Sequence, residues 1–597
     1  MNLDNLAAMF FSNREKHPDH PAYRYKQNGK WATVTWRTAA EDCEKISAGL
    51  IALGISHGDR IGLISNNRYE WALTDYAVLA AGAILVPVYP TLTPPQIAYI
   101  IRDSGIRFLI VEDELQIMKI DAVRSEFAGV EKFFILSPPE SMPECWTSFS
   151  DLSGRGAALL AEQPEIISDA MKKISRSDTA TVVYTSGTTG EPKGAVLTHG
   201  NFLSNIESAA QIFDCYPTDS ILSFLPLSHS FERMAGHFFS CYHGATVSYA
   251  ESLDTVAENI REVRPTLVIS VPRLYEKIYN RILTMVEAGS GLKRWIFYRA
   301  MTTGRKYSHL RLRHRRIPVS VRLKNALAHH LVFRKLHERV GGRLRYFVSG
   351  GAPLAPEIAE FFAAAGLVIL EGYGLTETSP AITFNRPESM KIGTVGKPIP
   401  GVEVRIAGDG EILSRGPHIM KGYLNKEADT HEVIDDDGWF HTGDIGMFDD
   451  DGFLVITDRK KNILVTAGGK NVAPQPIENR LITSPYIEQA MLIGDRRRFC
   501  SAIIVPDREV LENWAREQSL NFNSYEDLLS LPAVSDLISA EKERLTVDFA
   551  SFEQVKKFIL VSKPFSQESG ELTPTLKIKR RVVEAKHASE IETMYRG

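Results

Sequence analysis

Hydrophobic and polar positions fall into two periods along most of this chain. In "RTAAEDCEKISAGLIALGI" apolar side chains recur at Cys43, Ile46, Leu50 and Leu53, the spacing of one helix face, and Gly54 supplies the stop. The short β-branched or aromatic runs "RIGLIS", "AILVPVY", "RFLIVE", "KFFILS", "TLVISV" and "RYFVSG" predict strands. "PLAPEIAEFFAAAG" has a proline in its first turn and apolar residues at Leu354, Ile358, Phe361 and Phe362, which predicts a helix packed on a sheet. This alternation predicts an α/β protein: a large N-terminal domain of parallel and mixed sheets covered by helices.

From about Gly401 the texture changes. "VEVRIAGDGEILSRG" and "IGMFDDDGFLVITDR" predict antiparallel hairpins, and with them a small β-barrel-like subdomain. The charged stretch "TDRKKN" follows, and the strands "AMLIG", "SAIIVP" and "KFILVS" come after it. The expected division is an N-terminal domain over residues 1–457, a hinge over 458–461 and a small α+β C-terminal lid over 462–597.

The length of 597 residues agrees with more than one domain. Hydrophobic residues at 44% and charged residues at 24% are ordinary for a water-soluble chain. A net charge of -4 gives no whole-molecule case for nucleic-acid binding. Five scattered cysteines without CxxC spacing point to a reducing compartment. The longest apolar run, Tyr76 to Tyr89, is too short for a bilayer span, and the first twenty residues hold no apolar signal core. The expected location is cytoplasmic, with contact at the inner face of a membrane left open.

The chemistry concentrates in "YTSGTTGEPKG", Tyr184 to Gly194. A Gly/Ser/Thr loop after a strand can wrap N–H groups and hydroxyls around phosphate oxygens, and a lysine adds a point charge. It does not match the Walker pattern, and by composition alone the plainer reading is a surface linker, the lesser of the two. Seven further motifs accompany it: "LPLSHSFER", "SGGAPL", "EGYGLTET", "GTVGKPIPG", "GWFHTGDIG", "ITDRKKNILVTAGGKNVAP" and "LTPTLKIKR". Together and in this order they resemble the adenylate-forming (AMP-binding) superfamily, and within it the long-chain fatty acid–CoA ligases.

That resemblance implies a reaction and a set of roles. ATP and a long-chain fatty acid give acyl-AMP and pyrophosphate, and CoA then displaces AMP. Thr185, Ser186, Gly187, Thr188, Thr189, Gly190 and Lys193 would hold the β- and γ-phosphates. Gly350, Gly351, Ala352 and Pro353 would line the adenine, with Tyr373 stacked on it beside Gly374. Thr376 would contact the α-phosphate, and Glu377 would hold Mg2+. Asp444 and Arg459 would hold the ribose. His229 would stand beside the acyl carboxylate. Lys577 would be the adenylation lysine, although Leu576 replaces the family's glycine before it, and Lys579 is the fallback. Lys461 would be the hinge pivot, and Gly468 and Gly469 would border pantetheine in a second pose of the lid.

Each residue alone has a plainer reading. His229 could be a loop histidine, Tyr373 core, Asp444 a turn residue and Glu377 a helix-start carboxylate. Acceptor and substrate also leave alternatives: a fatty acyl-AMP ligase loading a carrier protein, a medium-chain or other carboxylate–CoA ligase, or an inactive relative that binds nucleotide or fatty acid. Nothing along the chain decides between a monomer and a homodimer. A basic insert, about 287–340, contains "RLRHRR" with four arginines in six positions. It reads either as a surface for anionic lipid headgroups or CoA phosphates, or as a solvated helix face.

Overall fold

Along the central strands, successive side chains enter different cores. Ile221 packs with Leu267 and Ile269, whereas Leu222 and Val268 belong to a separate cluster on the other face. In the same way Leu85 faces one core, and Ile84 and Val86 face another. Both faces of these sheets are buried, which is why the strands read as continuous apolar runs rather than alternating ones. The computed structural model that places them describes residues 3–185, 191–573 and 577–596.

Two large mixed sheets form the body. One has eight strands with Thr179–Thr185 between Lys193–Thr198 and Ile84–Val88. The other has nine, including Ser220–Ser223, Leu267–Ser270, Tyr346–Ser349 and Ile369–Gly374 side by side. The largest core lies between the two sheets and includes Leu50, Trp71, Tyr76 and Phe202 from the intervening helices. Helices Pro272–Glu287, Gly291–Leu312 and Pro356–Ala364 cover the outer face of the nine-stranded sheet. Helices Pro94–Ser104 and Glu114–Asp121 cover the outer face of the eight-stranded one. The predicted helix over "PLAPEIAEFFAAAG" begins at Pro356, and Leu354 precedes it as a buried anchor.

The two predicted hairpins form one antiparallel sheet of four strands, Glu403–Ile406, Glu411–Arg415, Phe440–Phe448 and Leu454–Arg459. The β-barrel-like expectation takes that form. After it comes a three-stranded sheet, Ile487–Ile493, Cys500–Pro506 and Val555–Leu560. Its alternating side chains fill two small cores, Leu492 and Ile504 on one face and Ile493 and Ile503 on the other. The insert folds as helices Gly291–Leu312, Val319–Ala328 and Arg334–Arg339, with a π-helical turn at His329–Phe333. Among the described residues, no helix is long and apolar enough to cross a membrane.

Candidate active site

Thr185 ends its strand directly opposite Lys193, and its hydroxyl donates to the Lys193 carbonyl at 3.4 Å. Ser186, Gly187, Thr188, Thr189 and Gly190 lie outside the described residues. The Lys193 ammonium pairs with Asp429 at 2.8 Å and lies over the Tyr423 ring. That hydrogen bond holds the Asp429 carboxyl below its ordinary range. Tyr423 in turn donates its hydroxyl to Glu377 Oε1 at 2.8 Å.

Glu377 is buried in the single turn Thr376–Thr378 that follows the strand Ile369–Gly374. A Cβ on Gly374 would overlap the Pro380 carbonyl, so the strand can meet this turn only through glycine. The Thr376 and Ser230 hydroxyls are 3.0 Å apart, which joins the turn to the "LPLSHSFER" segment. There His229 Nδ1 accepts the Phe231 N–H at 3.1 Å. Burial, helped by the Lys577 charge, lowers His229 to about 3. A neutral ring that accepts at Nδ1 carries its proton on Nε2, leaving a donor suited to a carboxylate oxygen.

Arg233 fixes that segment from below. It is fully buried, donates from Nε and Nη2 to the Asp75 carboxylate at 2.8 and 2.5 Å, and from Nη1 to Thr181 Oγ1 at 2.7 Å. Thr181 lies on the strand that ends in Thr185, so one guanidinium holds the His229 segment against that strand. Arg233 attracts Asp75 strongly enough to keep its carboxyl below the ordinary range although burial opposes this.

At the other end, Tyr373 donates its hydroxyl to Asp444 Oδ2 at 2.8 Å. Arg459 Nε lies 3.0 Å from Asp444 Oδ1, across the pairing of Asp444 with Arg459 in the four-stranded sheet. Burial, and then the Asp444 charge, drives the Tyr373 phenol well above its ordinary range. Gly350 lies beneath the Phe231 ring, where a Cβ would come within 2.9 Å of Phe231 Cζ. Ala352 and Pro353 beyond it are exposed, and Gly351 is partly so.

Lys577 is tied to Thr573 by two hydrogen bonds. Its N–H donates to Thr573 Oγ1 at 3.0 Å, and its carbonyl accepts the Thr573 N–H at 2.8 Å. Lys577 is exposed, yet desolvation by the surrounding protein lowers its pKa to about 8. Arg459 adds to that shift, and Asp444 and Glu377 oppose it. Lys577 thus stands within electrostatic reach of His229, Glu377, Asp444 and Arg459. Lys579 instead flanks the helix Arg580–Lys586.

The remaining candidates are not brought to this cluster. Lys461 is exposed in the turn after Leu454–Arg459. Gly468 and Gly469 are exposed in the loop between the short strands Leu464–Val465 and Asn471–Val472, where Ala467 bonds to Arg497. Several participants had no role assigned from sequence: Arg233, Asp75, Ser230, Tyr423, Asp429 and Asp458. Asp458 is buried and accepts the Gln475 N–H at 3.1 Å, which ties the end of the strand Leu454–Arg459 to the helix Pro474–Leu481. Asp75 had one signal, an acidic residue in the middle of the apolar helix Tyr69–Ala80, whose other acid, Glu70, stands in the first turn.

This fold and this meeting of residues define an adenylate-forming enzyme. The chain belongs to the AMP-binding enzyme family: the family model matches residues 10–424, and the model of the AMP-binding enzyme C-terminal domain matches 461–597. It is 38% identical over 601 residues to the long-chain-fatty-acid–CoA ligase FadD15 of Mycobacterium bovis, covering 99% of this chain and 97% of that protein. It is 33% identical over 594 residues to the peroxisomal long chain acyl-CoA synthetase 7 of Arabidopsis thaliana, covering 95% of this chain and 82% of that one. Among solved structures it is similar in fold to the adenylation domain of the carboxylate reductase from Mycobacterium chelonae. The TM-score is 0.77 at 22% identity, over 100% of this chain and 91% of that one.

Proposed function

We propose that this protein is an ATP-dependent long-chain fatty acid–CoA ligase. It joins the fatty acid to AMP with release of pyrophosphate, then passes the acyl group to CoA with release of AMP. The observation that carries this reading is the placement of Lys577 within reach of Glu377, Asp444, Arg459 and His229. The extent of likeness to long-chain-fatty-acid–CoA ligases supports the same reaction.

A carboxylate is a poor electrophile, so the protein's task is to position the reactants and offset phosphate charge. Asp444 accepts from the ribose hydroxyls, oriented by Tyr373 and Arg459. The His229 Nε2–H and the Lys577 ammonium hold the acyl carboxylate in line with the α-phosphate. Thr185 and Lys193 flank the phosphate loop, and Lys193 leaves Asp429 for the γ-phosphate. Gly350 to Pro353 border the adenine, and Thr376 meets the α-phosphate.

Glu377 suits Mg2+. No group of three or more His, Cys, Asp or Glu side chains that could hold a metal occurs among the described residues. A hard cation shared between one carboxylate, substrate phosphates and water fits that donor set. When bound, Mg2+ neutralises phosphate charge. Residues 462–597 act as the lid, turning at Lys461 so that Lys577 withdraws and the loop with Gly468 and Gly469 borders the thiol. Five free cysteines support a cytoplasmic location.

The test is AMP release from ATP and Mg2+ with acids from acetate to oleate, with and without CoA. Release with long acids that rises with CoA is the expected result. Acyl-AMP formation indifferent to CoA would assign a different acceptor.

A further inference from the structure

Lys542 is only 6% exposed on the helix Pro532–Thr546, and among the described residues its ammonium has no carboxylate within hydrogen-bond distance. Glu543, the next residue, stands 3.9 Å away and is itself largely exposed. Burial lowers the Lys542 pKa, Glu543 opposes that shift, and the Lys556 charge adds to it. A lysine whose stem merely covers apolar surface carries its head out into water. Here the ammonium stays 6.0 Å from the centre of the Phe558 ring, in the direction of a second ammonium. A desolvated cation beside another cation is costly unless an anion joins them.

The space for one is there. Lys542 lines a recess of about 380 Å³, within the range of small-ligand sites at about 300–1,000 Å³. Ser535 and Ser539 share its helix face, at spacings of seven and three residues. Lys556 and Lys557 come from the strand Val555–Leu560 at the edge of the three-stranded sheet, and Thr593 comes from the helix Ala588–Tyr595. Neither an acidic residue nor an arginine is among the described residues that line it. Lys556 donates to a neutral acceptor, Gln554 Oε1, at 3.1 Å, and Lys557 lies over the Phe499 ring. Lysines on an edge strand also serve to block pairing with other strands. That accounts for Lys556 and Lys557 and leaves the buried Lys542 without a reason.

We propose that this recess binds a small phosphate-bearing anion, held by the ammoniums of Lys542, Lys556 and Lys557 with the hydroxyls of Ser535, Ser539 and Thr593 around them. Rotatable ammonium donors suit a tetrahedral dianion, whereas a planar carboxylate is matched by the arginine fork that this recess lacks. The site shares no residue with the candidate active site. It requires nothing of the proposed reaction, and its test reads occupancy at Lys542 and Lys556 rather than ligase activity.

The full chain would be acetylated briefly with an N-hydroxysuccinimide ester, and modification of each lysine read by peptide mass spectrometry. Orthophosphate, pyrophosphate and AMP would be compared with chloride at matched ionic strength. Lys542 and Lys556 are expected to be protected about fivefold once the anion stands at about four times its Kd, with the exposed Lys173 unchanged. Equal protection by orthophosphate and AMP would assign the free ion, and stronger protection by AMP a phosphate carried on an organic group. K542M keeps the stem against Phe558 and removes the charge, so it should end the protection of Lys556. K556Q gives the reciprocal reading at Lys542. Neither substitution should lower the melting temperature, because neither ammonium gives up a hydrogen-bonded carboxylate. Protection by chloride equal to that by the phosphates, or protection confined to Lys193 and Lys577 in the active site, overturns the inference. So does a K542M protein in which phosphate still shields Lys556.

Discussion

Arg273 donates to the backbone carbonyl of Glu488 at 2.6 Å and to its carboxylate at 2.8 Å. Arg273 lies in the first turn of helix Pro272–Glu287, on the body, and Glu488 lies in the strand Ile487–Ile493, in the C-terminal segment that also holds Lys577. Arg480 and Glu357 form a second ion pair between the same two parts. On the proposed reading of residues 462–597 as a lid, these pairs would hold it in the pose that presents Lys577. R273E is therefore expected to slow acyl-AMP formation while sparing CoA attack on supplied acyl-AMP. An exposed ion pair contributes at most about 1 kcal/mol, so the loss is about fivefold, enlarged by repulsion from Glu488. R273E/E488R should recover part of it. Stopped-flow assays of each half-reaction decide, and equal loss in both would remove the latch role.

Lys577→Ala is expected to lower adenylation by roughly a hundredfold to a thousandfold, the scale of one lost transition-state donor. Thiolysis of supplied acyl-AMP should stay near wild type. The pH profile adds a separate check. Surrounding protein lowers the Lys577 ammonium to about 8, so the cation is present below that pH and lost above it. For adenylation, kcat/KM reports the free enzyme and should fall above about pH 8 with a one-proton slope. In K577R that descending limb should disappear, because a guanidinium stays charged.

Tyr373 and Asp444 form one unit, since the phenol donates to the carboxylate that Arg459 also contacts. Tyr373→Phe removes the hydrogen bond and keeps the ring, whereas Asp444→Asn removes the acceptor charge. A hydrogen bond to a charged group contributes about 1.5–3 kcal/mol. Both variants should therefore raise the KM for ATP about tenfold or more, with the KM for fatty acid little changed. A matched rise in both KM values would place this pair outside the nucleotide site.

The sequence made this end of the site readable because its residues stand in contiguous motifs. Asp444 and Arg459 lie in two strands that pair directly, so two motifs became one feature. The continuous apolar strands, alternating with helices, likewise marked the layered α/β body. Residues whose partners are remote in sequence were hidden. Arg233 stood inside a quoted motif, yet its partner Asp75 is 158 positions away. Tyr423 reaches Glu377 from outside every motif.

Arg233 is expected to be structural before it is chemical. Its pair with Asp75 is fully buried, and removing one partner leaves an uncompensated charge that costs about 3–5 kcal/mol. R233M and D75L alone should each lower the denaturation midpoint sharply, and R233M/D75L together should recover much of the loss. Activity in the double variant should still be reduced, because the His229 segment then loses its tie to Thr181. Full activity in a stable double variant would show that this tie does not position His229.

Glu232 and Glu371 make stability depend on pH in a direction opposite to that of most carboxylates. Both are buried, and burial raises each to about 8 from an ordinary 4.5, opposed weakly by one hydrogen bond in each case. Below 4.5 both carboxyls are protonated in the folded and unfolded chains and contribute no pH dependence. Between 4.5 and about 8 the unfolded chain releases these protons and the folded chain keeps them. The folded state then binds more protons, so this contribution to stability falls as pH rises through that window. E232Q and E371Q keep the shape and stay neutral, and E232Q retains an oxygen to accept the Ser223 hydroxyl, which now donates at 2.6 Å. Each substitution should flatten the decline in melting temperature between those limits, and E232Q/E371Q should flatten it most. A double variant that declines as steeply as wild type would mean that both carboxyls ionise within the fold, stabilised by a partner the static geometry does not reveal.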